Sequence, residues 1–211
     1  MPAPRYAICF TPPPVSPLAL FGAGVIGYDC FQRTEVPHRS IDGIDPSVLA
    51  LATVEPRRYG FHATLLAPFG LAADTNEAEL TKAFLEFAEA PFPVAVGLLH
   101  VTAMDRFVVI SPVEHHPAIE ALADACVMAF DQCRAPVTNA GRARCDEFRF
   151  YMALAGPIPD NVRRAFKGSL SKAFSDLSRD HLELGAVSLM RQDDQAGRFY
   201  VLARQRLSGR A

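Results

Sequence analysis

A chain of 211 residues with 21 Lys+Arg against 23 Asp+Glu, 50% hydrophobic and 21% charged, has the balance of an ordinary globular protein, which excludes extended disorder, collagen and long coiled coil. A net charge of −2 offers no cationic excess for neutralising many phosphates. Long nucleic acid and anionic membrane surfaces are therefore not expected partners, whereas a small anionic ligand needs only a few local donors. Cys9, Cys30, Cys126, Cys133 and Cys145 show no C-x-x-C spacing, so neither a disulfide framework nor a zinc knuckle is predicted. With no signal-like apolar segment after Met1 and no run near the roughly eighteen apolar residues of a membrane span, a soluble cytoplasmic protein is the expectation.

In chain order, Arg5 to Phe10 reads as a strand broken by Pro12-Pro13-Pro14. Ser16-Pro17 then supplies an N-cap and an N1 proline for a helix through Leu18 to Ile26. Asp29 to Glu55 is polar and turn-rich, with one helical turn at Pro46 to Ala52. Tyr59 to Leu66 predicts a buried strand, preceded by Arg57-Arg58, a pair expected at a solvated edge. Asp74 to Glu77 matches a capping box before a helix over Thr75 to Ala90. Val94 to Thr102 and Phe107 to Ser111 predict a hairpin, and Pro117 opens a helix with Ile119, Leu122, Cys126 and Phe130 on one face. Residues 131–146, with no apolar period, read as a linker. A strand Phe148 to Ala155, a helix Asp160 to Leu177, and strands His181 to Met190 and Phe199 to Arg204 complete the series.

The chain repeats itself. A shift of 89, which carries position 62 onto 151, lays Tyr59 to Phe69 over Phe148 to Ile158, and each copy continues into a polar cap, an amphipathic helix and two strands. Val96-Gly97-Leu98 falls over Leu184-Gly185-Ala186 at a shift of 88, which carries 97 onto 185. These units, 57–111 and 146–206, predict one bilobed α/β (α+β) domain over 1–211, its pseudo-symmetric lobes holding antiparallel sheets that meet at a central cleft.

Strand alternation says which side chains leave the core. Phe61, Ala63 and Leu65 share one face and His62 and Thr64 the other, while Phe150, Met152 and Leu154 oppose Arg149, Tyr151 and Ala153. With the apolar faces against helices, a groove would gather His62, Thr64, Arg149 and Tyr151. Imidazole, hydroxyl, guanidinium and phenol together suit a phosphate-sized anion. The triplet His-x-Ser/Thr is by itself a weak signal, since His38-Arg39-Ser40 and His100-Val101-Thr102 satisfy it too. His62 stands out by lying mid-strand in a repeated unit.

Arg57-Arg58-Tyr59-Gly60-Phe61-His62-Ala63-Thr64-Leu65, together with Phe148 to Leu154 and the opening Arg5 to Phe10, resembles the phosphonate-metabolism proteins of phosphonate operons, within the two-histidine phosphoesterase superfamily. The resemblance covers nearly the whole chain. It implies a bilobed fold in which two central strands each present His-x-Thr/Ser to a shared cleft. The implied activity is metal- and cofactor-independent attack on small cyclic phosphodiesters. His62 carries over as acid/base and Thr64 as phosphate ligand. The second motif does not carry over: Tyr151-Met152-Ala153 stands where His-Met-Thr is usual, and Leu66 where lysine is common.

Losing one general acid/base removes roughly 10²- to 10⁴-fold in rate, and one hydrogen bond to a charged oxygen about 1.5–3 kcal/mol. A phenol, with an ordinary pKa near 10, can protonate a leaving oxygen but is a poor base at neutral pH. Two functions follow as expectations. One is an impaired cyclic phosphodiesterase with His62 as base, Tyr151 as acid, and Thr64 and Arg149 as phosphate ligands. The other is an inactive relative that holds a phosphorylated metabolite or nucleotide in the same cleft. A third placement, His100 in the role of the missing histidine, depends on whether the fold turns it into that cleft.

Overall fold

A computed structural model describes residues 3–136 and 148–210. Strand β1 (Arg5–Phe10) leads through the prolines to α1 (Pro17–Ile26), where the Ser16 hydroxyl accepts the Ala19 N–H at 3.2 Å and Gly27, at φ 78°, ends the helix. A small ladder, β2 (Tyr28–Asp29) with β3 (Thr34–Glu35), precedes α2 (Pro46–Ala52) and α3 (Val54–Tyr59). Then come β4 (Ala63–Phe69), α4 (Glu77–Phe87), the hairpin β5 (Val94–Met104) and β6 (Phe107–Pro112), and α5 (Pro117–Ala129). Beyond the undescribed stretch lie β7 (Met152–Ala155), α6 (Asp160–Ala173), β8 (His181–Leu184), β9 (Ala186–Gln192) and β10 (Tyr200–Arg206).

Eight strands form one antiparallel sheet in the order β10-β9-β1-β4-β7-β6-β5-β8. Its midline is the β4/β7 contact, where Ala63 pairs with Met152, both fully buried. These two positions are themselves related by the shift of 89. Four strands lie on each side of this pair's seam, β4-β1-β9-β10 on one and β7-β6-β5-β8 on the other. Each half of the sheet draws on both repeats: β4 joins β9 and β10, and β7 joins β5 and β6.

Four local expectations change. Tyr59–Phe61 is not strand, because Tyr59 closes α3 and Gly60 takes φ 77°, a left-handed turn that delays β4 to Ala63. The capping box falls two residues on: Asn76 Oδ1 accepts the Glu79 N–H at 3.1 Å and Glu79 accepts the Asn76 N–H at 2.9 Å. The stretch Phe148 to Ala155 becomes strand only from Met152, where a partner on β4 begins. The single strand expected over His181 to Met190 is two, because the chain crosses at Gly185 from β5 in one half to β1 in the other.

Of the expected linker 131–146, the first part is tied to the exit of β4. The Ala72 N–H donates to the Cys133 carbonyl at 3.0 Å, and the Ala135 N–H to that of Gly70 at 2.9 Å. Residues 137–146, and with them Cys145, lie outside the described residues. Among the described residues no helix is long and apolar enough to cross a membrane.

Candidate active site

Where β4 and β7 part on either side of the midline pair, a cleft of about 1080 Å³ opens. One wall is Glu55, Tyr59, His62 and Thr64, from α3 and the start of β4; the facing wall is Phe148, Arg149, Tyr151 and Ala153. The β5–β6 turn adds Met104, Asp105 and Phe107, and α5 adds Ala123, Asp124 and Val127. All four residues singled out in the sequence thus border one cavity. Continuing the antiparallel register from Ala63–Met152 sets Thr64 across from Tyr151 and His62 across from Ala153.

His62 is held in one protonation state. Its Nδ1 lies 2.9 Å from the Gly60 carbonyl oxygen, which can only accept, so Nδ1 carries the proton and Nε2 is left with a lone pair. Thr64 Oγ1, 3.1 Å from Nε2, must then be the donor in that contact. Burial pushes the His62 pKa below the ordinary 6.5, outweighing the Gly60 bond, which acts the other way, so the ring is neutral at pH 7. The turn at Gly60 aims this carbonyl back at the ring. A Cβ there would meet Cys30 Cβ at 2.7 Å, so glycine is required by space as well as by φ. Tyr59 supports the imidazole from the side, 6.3 Å between ring centroids, and is itself stacked on Phe199 at 5.4 Å.

The facing wall is less constrained. Tyr151 is 37% exposed. Arg149 lies 3.9 Å from the Asp105 carboxylate, an ion pair open to water on both sides. The methyl of Ala153 offers no hydrogen bond at the position opposite His62.

The remaining candidates from the sequence separate from the cleft. His100, on β5 opposite Ser111, is two strands from β7 and does not border the cavity, so it does not stand in for a second histidine there. Arg57 is not a solvated edge residue. It bonds the Ile26 carbonyl at 2.9 Å, the Ala50 carbonyl and Thr53 hydroxyl at 3.1 Å, and His38 Nε2 at 2.8 Å, clamping α1, α2 and α3 together. Arg58 reaches the Gln195 carbonyl. His115 is paired with Glu120 on the surface.

Glu55, Asp105 and Asp124 went unnoticed in the sequence because they come from a short helix, a turn and a distant helix with no shared spacing. Set against Arg149 and a neutral imidazole, they give the described cleft more carboxylates than cations. That balance disfavours polyphosphates and tolerates a single negative charge. No group of three or more His, Cys, Asp or Glu among the described residues is arranged to hold a metal ion.

Comparison with known proteins agrees with this architecture. Residues 64–146 and 145–200 match a family described as Protein of unknown function (DUF1045). A ribose 1,5-bisphosphate phosphokinase PhnN from Janthinobacterium sp. (strain Marseille) is 35% identical over 140 residues, covering 66% of this chain and 31% of the relative. Its namesake from Laribacter hongkongensis (strain HLHK9) is 32% identical over 133 residues, covering 63% and 31%. The chain thus spans about a third of the length of these curated relatives. Among solved structures, TT0787 of Thermus thermophilus superposes with a TM-score of 0.52 at 14% identity, covering 98% of this chain and all of that one, and so shares the fold. Escherichia coli LigT complexed with 3'-AMP gives 0.49 at 12% identity, over 97% and 98%.

Proposed function

Since the chain belongs to the DUF1045 family, whose function is unknown, its role has to be read from the cleft, and we propose that it is a two-histidine phosphoesterase-like protein that opens a small cyclic phosphodiester slowly, with one histidine of the pair. The observation that carries this reading is the His62 imidazole. It is neutral, locked by Gly60, and presents the Nε2 lone pair beside Thr64 in a cavity faced by Tyr151.

In this reading water attacks phosphorus while Nε2 takes its proton. One P–O bond of the ring breaks, and the released oxygen takes a proton from the Tyr151 phenol; solvent then restores the phenol and takes the proton from Nε2. The Thr64 hydroxyl and the Arg149 guanidinium hold the non-bridging oxygens as charge develops. A cyclic diester carries one negative charge, in keeping with the scarcity of cations around the cavity.

The names of the relatives support a ribose-based substrate. By name these proteins act on ribose 1,5-bisphosphate, a phosphate ester of ribose, and hydrolysis of one P–O bond in a ribosyl cyclic phosphate likewise leaves a ribose phosphate. Phosphokinase chemistry itself is not carried over, since this sequence has no G-x-x-x-x-G-K-[S/T] loop to cradle nucleotide phosphates. A ribosyl cyclic phosphate is therefore the substrate of choice.

The test is turnover of ribosyl cyclic phosphate and 2′,3′-cyclic nucleotides at high enzyme concentration, with His62→Ala as control. Slow hydrolysis that falls by about 10²-fold or more in the variant is expected. Tight binding without any turnover would overturn the hydrolase reading. It would favour instead a binding protein of the same cleft, a role to which the missing hydroxyl at Ala153 lends some support.

A further inference from the structure

The wall of the cleft that carries Glu55, Tyr59 and the Gly60 turn is α3, six residues long and without a side-chain cap at its start. So short a helix is not stable by itself, and its placement is decided by what it is tied to. Arg57, from the middle of α3, does not border the cleft; its side chain enters the junction with α1 and α2.

The carbonyls that end α1 explain that placement, because each needs a donor from outside the regular helix. Ala23 receives the Gly27 N–H at 2.8 Å, Gly24 the Arg39 N–H at 2.6 Å, Val25 the His38 ring at 2.9 Å and Ile26 the Arg57 Nε–H at 2.9 Å. At the end of α2, the Ala50 carbonyl receives Arg57 Nη2 at 3.1 Å. One guanidinium thus spans the C-termini of two helices, where the partial negative charge of the carbonyls favours a cation. Its contact with His38 has a single direction. Arg57 can only donate and the Val25 carbonyl can only accept, so the His38 proton sits on Nδ1 and the Nε2 lone pair faces Arg57 Nη2 at 2.8 Å.

We propose that Arg57 is a positioning residue for His62: by tying α3 to the ends of α1 and α2 it sets the Gly60 turn, and through that turn the tautomer of the imidazole. The chain of contacts is short. The Gly60 N–H closes α3 on the Pro56 carbonyl at 3.0 Å, and the Gly60 carbonyl meets His62 Nδ1 at 2.9 Å. Arg57 lies three positions before Gly60, so a shift of α3 moves the carbonyl that holds the Nδ1 proton and the Tyr59 ring on the flank of His62. Lysine does not replace it, because a single ammonium lacks the planar fork that reaches two helix ends and an imidazole together.

The inference rests on His62 serving as base in the proposed function, but its first readout needs no turnover. Nitrogen-15 NMR of the ligand-free protein distinguishes the two neutral tautomers of His62. Wild type holds the proton on Nδ1, whereas in Arg57→Met the Nε2-protonated form appears, and in Arg57→Lys it appears in part. In turnover of a cyclic phosphodiester, kcat falls about 10- to 10²-fold in Arg57→Met, as expected of a misplaced base, while KM changes little. Leu80→Val, a core truncation in α4 away from the cleft, controls for lost stability and keeps the wild-type tautomer.

If folded Arg57→Met keeps His62 in the wild-type tautomer, or if Leu80→Val shifts it as much, the proposal fails. Should Arg57→Met not fold, Arg57→Lys and His38→Ala disturb the same clamp more mildly, and an unchanged His62 in both refutes it. A tautomer change in a protein that neither binds nor hydrolyses cyclic phosphates would sink the proposed function and leave the positioning of His62 by Arg57 standing.

Discussion

The two sides of the midline are copies of one strand motif with opposite degrees of constraint. At the entry to β4, His62 has both ring nitrogens bonded, is flanked by Tyr59, and follows a glycine turn that admits no side chain. Across from it, Tyr151 is partly open to water and Ala153 can form no hydrogen bond, although Met152 between them is as buried as Ala63. Core and site are thus constrained separately. The inward face of each strand is held by packing, where any loss of volume costs stability, whereas the cleft face of the second strand bears little of the fold.

This asymmetry can be broken outright. Restoring the second motif with Tyr151→His and Ala153→Thr places an imidazole across from Thr64 and a hydroxyl across from His62. Cyclic phosphodiester hydrolysis should rise by about 10²- to 10⁴-fold, as assayed by steady-state turnover. An unchanged rate would mean that the walls stand too far apart to share one phosphate.

Thr64→Val removes a hydrogen bond to the charged ligand and should weaken cyclic-phosphate binding by about 10- to 150-fold in calorimetry, the equivalent of about 1.5–3 kcal/mol. Arg149→Gln should cost less, because its guanidinium is already shared with Asp105.

Gly60→Ala sharpens the contrast on the supporting side. A left-handed φ and a 2.7 Å approach to Cys30 Cβ predict about 1–3 kcal/mol of lost stability in a denaturant titration, whereas Ala153→Gly on the other wall should cost under about 1 kcal/mol.

The smallest effect is in pH dependence. Folding lowers the His62 pKa, so the unfolded chain binds the proton more readily. Stability from this residue is complete above about pH 6.5 and falls as pH drops from there toward the folded value. His62→Gln should flatten that part of the stability–pH curve, read from denaturant midpoints. Activity follows the same sense, since protonated Nε2 cannot act as a base.

Much of this was legible in the chain. Ser16-Pro17 marked α1, Pro46 to Ala52 matched α2 residue for residue, and the self-match at a shift of 89 located the strands that meet at the midline. These signals are local: a cap, a fixed-φ proline, an alternation of apolar and polar residues, each acting within a few positions. What the sequence by itself determined was therefore the elements and which residues could leave the core toward the cleft. Only the tertiary structure decided that β8 and β9 part at Gly185 to serve opposite halves, that His100 lies two strands away from β7 and outside the cleft lining, and that the Gly60 carbonyl fixes the state of His62. Those facts depend on register between strands distant in sequence, which is set by the simultaneous burial of both halves of the sheet rather than by any stretch of chain alone.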